Sequence, residues 1–203
     1  MTGASKAKII SRKIEFDGWH RLETLVVQPA SLRHDGQAEP MQREMYFCGM
    51  CVVVLLYLPE TDQILLNEQF RVGPFVAGDP NPWLLECCAG MVDEGEGPEE
   101  AVRREAIEET GCHILDLEFI AKAYPSPGGT DETQMLYCGR VSKAEAGHYG
   151  VEEEGEEIKT HLMPAVEVIR MLDTGKITNG ATLTCLHWFA RNYDRLRKKW
   201  SQK

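Results

Sequence analysis

The sequence predicts a mixed α/β fold preceded by a small β-rich arm. Three observations indicate this: the chain length, the alternation of strand patterns with well-bounded helices, and a change of pattern near residue 45. The length of 203 residues favours one domain plus an accessory piece. With 43% hydrophobic and 27% charged residues, the chain has an ordinary globular composition and can bury a sizeable core. Wholesale disorder is therefore excluded.

Residues 1–45 form the predicted arm. Short apolar stretches alternate here with polar ones, and Pro29, Gly36 and Pro40 interrupt them, which is typical of short strands joined by turns. A segment of this length is too short to build a self-sufficient core. We therefore expect the arm to pack on the rest of the chain or on a second subunit, and residues 46–203 to form the main domain.

The main domain alternates strand and helix patterns. Strands are predicted at 49–58, 64–70, 83–88, 115–123, 133–141 and 157–163, a loop at 72–82, and helices at 98–110, 164–173 and 180–199. The first helix has the clearest ends, because Pro98 opens it, Glu99 and Glu100 occupy its first turn, and Gly111 can cap its end. The segment Tyr124–Gly129 contains two prolines and two glycines, so a rigid loop is expected there.

Charge and cysteine content restrict the partners and the compartment. Lys and Arg number 22 against 32 Asp and Glu, and the net charge of −10 argues against nucleic acid as a partner. The apolar run at 49–58 is about half as long as a membrane helix requires, so no membrane partner is expected. The N-terminus lacks the apolar core of a secretory signal, and seven cysteines, an odd number, fit reduced thiols in the cytoplasm. An anionic substrate would need cations to mediate its contact with this chain.

Three carboxylates share one face of the helix at 98–110. At about 100° per residue, Glu105, Glu108 and Glu109 fall within an arc of about 100°. Like charges one turn apart destabilise an isolated helix, and only Arg104 is placed to compensate. A divalent cation would turn this cost into a site, and all-oxygen ligands suit Mg²⁺ or Mn²⁺ better than zinc. The alternative is a solvated acidic helix.

The spacing around this helix favours the metal site. Residues 90–112 read GMVDEGEGPEEAVRREAIEETGC and resemble the Nudix box, GX5EX7REUXEEXGU, at every fixed position, namely Gly90, Glu96, Arg104, Glu105, Glu108, Glu109 and Gly111. Ala106 and Cys112 replace bulky aliphatic residues at the two U positions. The resemblance implies a Mg²⁺-dependent hydrolase that cleaves a diphosphate linked to a nucleoside, on a strand–loop–helix–loop module within an αβα sandwich.

The same resemblance implies individual roles for the box residues. Glu105 and Glu109 correspond to the main metal ligands, and the backbone carbonyl of Ala89 to a further ligand. Glu108 is the second choice among the carboxylates. Arg104 is expected to orient a carboxylate through charge-assisted hydrogen bonds. Mg²⁺ is the expected cofactor, with Mn²⁺ as the alternative.

A second motif indicates the substrate. The segment Ser126–Glu132 resembles the SPGG(T/S)xE loop of ADP-ribose (ADP-sugar) pyrophosphatases, and this similarity extends over most of the chain beyond the arm. It implies Mg²⁺-dependent conversion of ADP-ribose or a related ADP-sugar to AMP and a sugar phosphate. Pro127, Glu132 and Arg71 are then expected substrate contacts. Arg43 would reach the site of the partner subunit in a homodimer, and its planar fork suits a phosphate.

The resemblance places the catalytic base in the acidic segment 152–157. Matching the family's pattern puts the base at Glu154 and a further metal contact at Glu156, with Glu153 or Glu156 as the alternatives for the base. Gly155 would leave this segment free to swing a carboxylate over the substrate.

Two alternative functions remain at this point. The substrate could be another nucleoside diphosphate sugar, such as GDP-mannose, because the SPGG loop also occurs in related Nudix hydrolases. The chain could also be a catalytically silent Nudix-like binding module. The complete set of charged box residues argues against a silent module.

Overall fold

The computed structural model describes residues 7–151 and 155–201. The chain forms two compact units, one spanning Met1–Gly49 with Tyr124–Thr133, the other Met50–Ala123 with Gln134–Lys203. Within the described residues, no helix is both long and apolar enough to cross a membrane.

The first unit is built on a three-stranded antiparallel sheet. Its strands are β1 (Lys8–Asp17), β2 (Arg21–Gln28) and β3 (Met41–Phe47), in the order β1-β2-β3. On β2, the side chains of Glu23 and Leu25 are buried, and Glu23 accepts a hydrogen bond of 2.7 Å from Arg12 on β1. Strand β1 is exposed along its whole length. The strands agree with the expected β-rich arm, and the shortage of buried apolar side chains agrees with its small size.

The loop with two prolines and two glycines also belongs to the first unit. The Tyr46 N–H, near the end of β3, donates to the Gly129 carbonyl at 2.8 Å. The Asp131 carboxylate accepts from the N–H groups of Cys48 and Gly49 at 2.7 and 3.2 Å. The loop is therefore fixed to the end of the arm, a pairing that local sequence does not indicate because more than 80 residues separate the partners.

The described residues of the second unit form an eight-stranded sheet and four helices. Its strands are β4 (Met50–Leu58), β5 (Gln63–Phe70), β6 (Trp83–Glu86), β7 (Cys88–Met91), β8 (Asp116–Ala123), β9 (Thr133–Arg140), β10 (His148–Tyr149) and β11 (Ile158–Pro164). The order is β10-β11-β5-β4-β9-β8, with β6 paired to β5 and β7 to β4. The helices are α1 (Val72–Val76), α2 (Pro98–Thr110), α3 (Ala165–Met171) and α4 (Gly180–Trp200).

The central strand β4 has a core on each face. Because strand side chains alternate, Val53 and Leu55 pack in the cluster that contains buried residues of α3 and α4. Val54 and Leu56 pack in the other cluster, with Ala101, Val102 and Ala106 of α2. A strand buried on both faces has a continuous apolar sequence, as observed at 50–58. The expected αβα sandwich is confirmed.

Two local predictions were wrong. The stretch predicted as loop at 72–82 contains the short helix α1, whose Pro74 lies in the first turn, where proline is tolerated. The strand predicted at 83–88 is divided at Cys87 into β6 and β7, which pair with different strands. By contrast, α2 begins and ends as predicted, with Gly111 in the left-handed conformation at φ 66°.

Candidate active site

Helix α2 lies against β7 so closely that Gly90 contacts the Glu105 carboxylate. A Cβ atom at position 90 would overlap the carboxyl group of Glu105. Glycine is therefore needed at position 90 because of this close approach. A left-handed backbone conformation is not the reason, since Gly90 does not have a positive φ. The first glycine of the box and its first metal-ligand candidate are thus direct neighbours.

Arg104 connects the carboxylates of the box. Its Nη1 donates to Glu105 at 2.7 Å and to Glu108 at 2.9 Å. Its Nε and Nη2 donate to Glu96 at 3.1 and 3.0 Å, and Nη2 also donates to the Met91 carbonyl at 2.9 Å. The hydrogen bonds to Glu96 raise the pKa of Arg104 most, ahead of those to Glu105 and Glu108. Arg104 is therefore a fixed cation that holds three acidic side chains in place.

Glu109 is the most buried carboxylate of the helix, with 3% of its surface exposed. Its Oε2 accepts from the Ala89 N–H at 3.0 Å and from Asn67 Nδ2 at 2.8 Å. The pKa of Glu109 is raised to about 8, mainly by burial, and the charges of Glu105 and Glu156 contribute to this increase. Glu109 therefore gains strongly from a positive charge placed beside it.

Glu105 and Glu156 belong to the same electrostatic cluster. Burial raises the pKa of Glu105 against the opposing effect of Arg104, and the charges of Glu108 and Glu156 add to the increase. Glu156 lies 3.5 Å from Gln69 Nε2 on β5. The chain segment before β11 thus brings its carboxylate into the electrostatic field of α2.

The potential ligand atoms in this cluster suit a hard divalent cation. Glu105 and Glu109 offer carboxylate oxygens, and Asn67 Oδ1 is buried without a hydrogen-bond partner among the described residues. The Ala89 N–H points to Glu109, and the carbonyl of a strand residue lies on the same edge as its N–H, so this carbonyl also faces the cluster. All these potential ligand atoms are oxygens, as Mg²⁺ prefers.

In the described part of the chain, no group of three or more His, Cys, Asp or Glu side chains forms a ready cation site. The hydrogen bonds explain this arrangement. Arg104 holds Glu105, while Asn67 and Ala89 hold Glu109. To converge on a cation, the two carboxylates would have to give up some of these hydrogen bonds.

Arg71 follows β5 and is held by a buried carboxylate. Its Nε and Nη2 donate to Glu86 Oε2 at 2.9 and 2.7 Å. Burial alone lowers the pKa of Arg71, but Glu86, followed by Glu109 and Glu156, raises it above its usual value. The guanidinium therefore lies in the field of the carboxylate cluster, on the same unit.

The other described candidate residues belong to the first unit. Arg43 is exposed on β3 and donates to the Gln42 carbonyl at 2.7 Å. Pro127 lies in a turn closed by the Gly129 N–H on the Ser126 carbonyl at 3.1 Å, and the Glu132 N–H donates to Thr130 Oγ1 at 3.0 Å. Arg43, Pro127 and Glu132 all belong to the first unit. Glu153 and Glu154 lie outside the described residues, and their roles stay predictions.

Sequence reasoning missed Asn67 and Glu86. Both are buried polar residues at the ends of apolar runs, ILLN on β5 and WLLE on β6. They face each other across the β5–β6 pair. A polar residue at an inward-facing strand position was the available signal, because such a group must find a partner inside the protein.

Comparison with known proteins adds independent information. A family profile described as NUDIX domain matches residues 49–183. The chain is 33% identical over 198 residues to the ADP-ribose pyrophosphatase of Haemophilus influenzae, covering 96% of this chain and 91% of the relative. It is 32% identical over 204 residues to the ADP-ribose pyrophosphatase of Escherichia coli, covering 98% and 95%. The GDP-mannose pyrophosphatase of Pectobacterium atrosepticum is 33% identical over 194 residues, covering 93% and 99%.

Proposed function

The chain belongs to the Nudix family, and on this premise we propose that it hydrolyses the diphosphate bond of ADP-ribose or a related ADP-sugar to AMP and a sugar phosphate. The observation that carries this proposal is the complete box around α2, with Glu109 buried and Glu105 partly buried beside β7. The substrate follows from the named activity of the full-length relatives and from the loop Ser126–Glu132.

Nudix hydrolases generally need a divalent metal, which we infer to be Mg²⁺ here, with Mn²⁺ as the alternative. Glu105, Glu109 and the Ala89 carbonyl would hold the metal, with Glu156 as a further contact. When bound, the metal neutralises phosphate charge and lowers the pKa of water. Arg104 keeps the carboxylates oriented.

Two further roles come from residues outside the box. Glu154 acts as the general base that takes a proton from the attacking water. Arg71 contacts a phosphate or the ribose, and Pro127 and Glu132 contact the substrate from the SPGG loop.

The chain acts as a cytoplasmic homodimer in which Arg43 completes the partner's site. The apolar side chains of Ile9, Ile14 and Phe16 on β1 are more than half exposed, which supports burial of this arm against a second copy. None of the seven cysteines, all of which the structure describes, forms a disulfide bond, as suits a reducing compartment. The excess of acidic residues supports the absence of nucleic-acid and membrane partners.

GDP-mannose is the second candidate substrate. It is favoured by a specific observation, since a GDP-mannose pyrophosphatase matches the chain over nearly its full length at similar identity. The two substrates differ in base and in sugar but share the diphosphate that the box addresses.

A product assay decides between these functions. The chain would be incubated with ADP-ribose, ADP-glucose and GDP-mannose in Mg²⁺, and nucleoside monophosphates would be separated by chromatography. We expect kcat/KM for ADP-ribose to exceed that for GDP-mannose by at least about tenfold. The reverse ratio would assign GDP-mannose, and absence of turnover with both Mg²⁺ and Mn²⁺ would point to a binding module. Glu109→Gln provides the inactive control.

A further inference from the structure

A chain of hydrogen bonds connects the N-terminus of α4 to Arg71. The Thr182 N–H donates to Asn179 Oδ1 at 2.9 Å, so Asn179 caps α4. The other end of the same amide, Nδ2, donates to Glu86 Oε1 at 3.0 Å. Glu86 Oε2 in turn accepts both hydrogen bonds from Arg71. A single asparagine therefore serves a helix end with its oxygen and a buried carboxylate with its nitrogen.

The two ends of this ion pair differ in burial. Glu86 is buried and held rigidly, whereas Arg71 is partly exposed and accessible to a ligand. The Glu86 side chain is 4% exposed, whereas that of Arg71 is 40% exposed. Both Glu86 oxygens have donors, so a rotation of the carboxylate would leave a buried charge without its hydrogen bonds. Glu86 holds the guanidinium by its Nε and Nη2 edge. In the described part of the chain, Nη1 of Arg71 has no protein acceptor.

We propose that Glu86 and Asn179 are positioning residues for Arg71. Asn179 fixes the Glu86 carboxylate, Glu86 fixes one edge of the guanidinium, and Nη1 is presented to an anionic oxygen of the nucleoside diphosphate sugar. This inference rests on the proposed function, because it takes Arg71 as a substrate contact. A preoriented arginine loses less conformational freedom on binding than a mobile one, and this lowers the cost of substrate binding.

The two ends of Asn179 can be separated by substitution. Asn179→Ser keeps a good helix cap but removes the donor to Glu86. We expect KM for ADP-ribose to rise by about 3- to 10-fold, with kcat within about twofold and the melting temperature nearly unchanged. Asn179→Asp also keeps the cap but places a like charge beside Glu86, so its KM should rise further. If Asn179→Ser leaves KM unchanged, the proposal is overturned.

Thr182→Val is the matched structural control. Thr182 Oγ1 accepts from the Cys87 N–H at 2.9 Å, and this buried contact lies outside the route from Asn179 to Arg71. The variant should lower the melting temperature without raising KM. An equal rise of KM in Thr182→Val and Asn179→Ser would attribute the effect to general loosening of α4 and overturn the positioning role.

A double-mutant cycle with Arg71→Ala completes the test. If Asn179 acts through Arg71, Asn179→Ser should raise KM in the native background and have no further effect in Arg71→Ala. Equal effects in both backgrounds, or no effect of Arg71→Ala itself, would overturn the proposal. Calorimetric binding of ADP-ribose to the same four proteins gives the result without turnover. A chain that binds ADP-ribose with this coupling but hydrolyses no nucleotide sugar would refute the proposed function alone.

Discussion

Gly90 and Glu105 are in direct contact, so that a side chain on the one would displace the carboxylate of the other. The group displaced by Gly90→Ala is the end of a flexible side chain, so the fold should tolerate the change. The proposed metal ligand Glu105 would move, and we expect kcat to fall by about 10- to 100-fold with the melting temperature little changed. Gly73→Ala, where the added methyl meets open space, is the control and should retain activity. Equal activity of the two variants would contradict this role for Gly90.

Removing one carboxylate charge from α2 should abolish most of the turnover. Glu109→Gln and Glu105→Gln keep the shape of the side chain but remove a ligand charge. We expect steady-state kcat to fall at least about 100-fold in each, because the metal stabilises charge in the transition state. Glu99→Gln, on the exposed first turn of the same helix, should behave like the native chain. Near-native turnover in both ligand variants would refute the metal assignment.

The buried Glu109 predicts a characteristic pH dependence of stability in metal-free protein. Burial raises its pKa from the ordinary 4.5 to about 8, so the folded chain holds this proton more tightly than the unfolded chain. The free energy of unfolding should therefore fall as pH rises through this window. Urea denaturation in EDTA would measure the trend, and Glu109→Gln should lack this contribution. An identical pH profile for both proteins would contradict the prediction.

The base is expected in the acidic segment before β11. Glu154→Gln should lower kcat by about 10² to 10⁴ and leave KM nearly unchanged, since the residue moves a proton and does not bind substrate. Measuring kcat and KM for the three single Gln variants at positions 153, 154 and 156 would locate the base. A selective loss in Glu153→Gln or Glu156→Gln would move the assignment by one or two residues. No loss in any of them would leave this segment as a solvated acidic surface.

Complementation tests the shared site of the proposed homodimer. Arg43→Ala and Glu109→Gln, each impaired alone, should regain part of the activity when refolded together, because a mixed dimer contains one site with both native residues. Tagged subunits would verify that mixed dimers form. A monomer in sedimentation equilibrium, or proven mixed dimers without recovery, would refute the shared site.

The sequence by itself determined the elements whose signals are local. Pro98 and Gly111 correctly predicted the two ends of α2. A proline in the first turn and a left-handed glycine after the last turn are local signals, which need no contact from outside the helix. The apolar run of β4 identified a strand buried on both faces. The box spacing placed Glu105, Glu108 and Glu109 on one helix, since the period of a helix depends only on the backbone.

Only the tertiary structure decided which distant residues meet. The pairing of the SPGG loop with the end of β3 joins segments more than 80 residues apart, and Glu86 meets Asn179 across 93 residues. Sequence spacing constrains neither contact, because both depend on how strands pair and how α4 packs on the sheet. The same holds for Asn67 and Glu109, whose burial sets the pKa of the carboxylate. Residue types show which groups need partners, and the packing of the sheet and helices determines which partners they find.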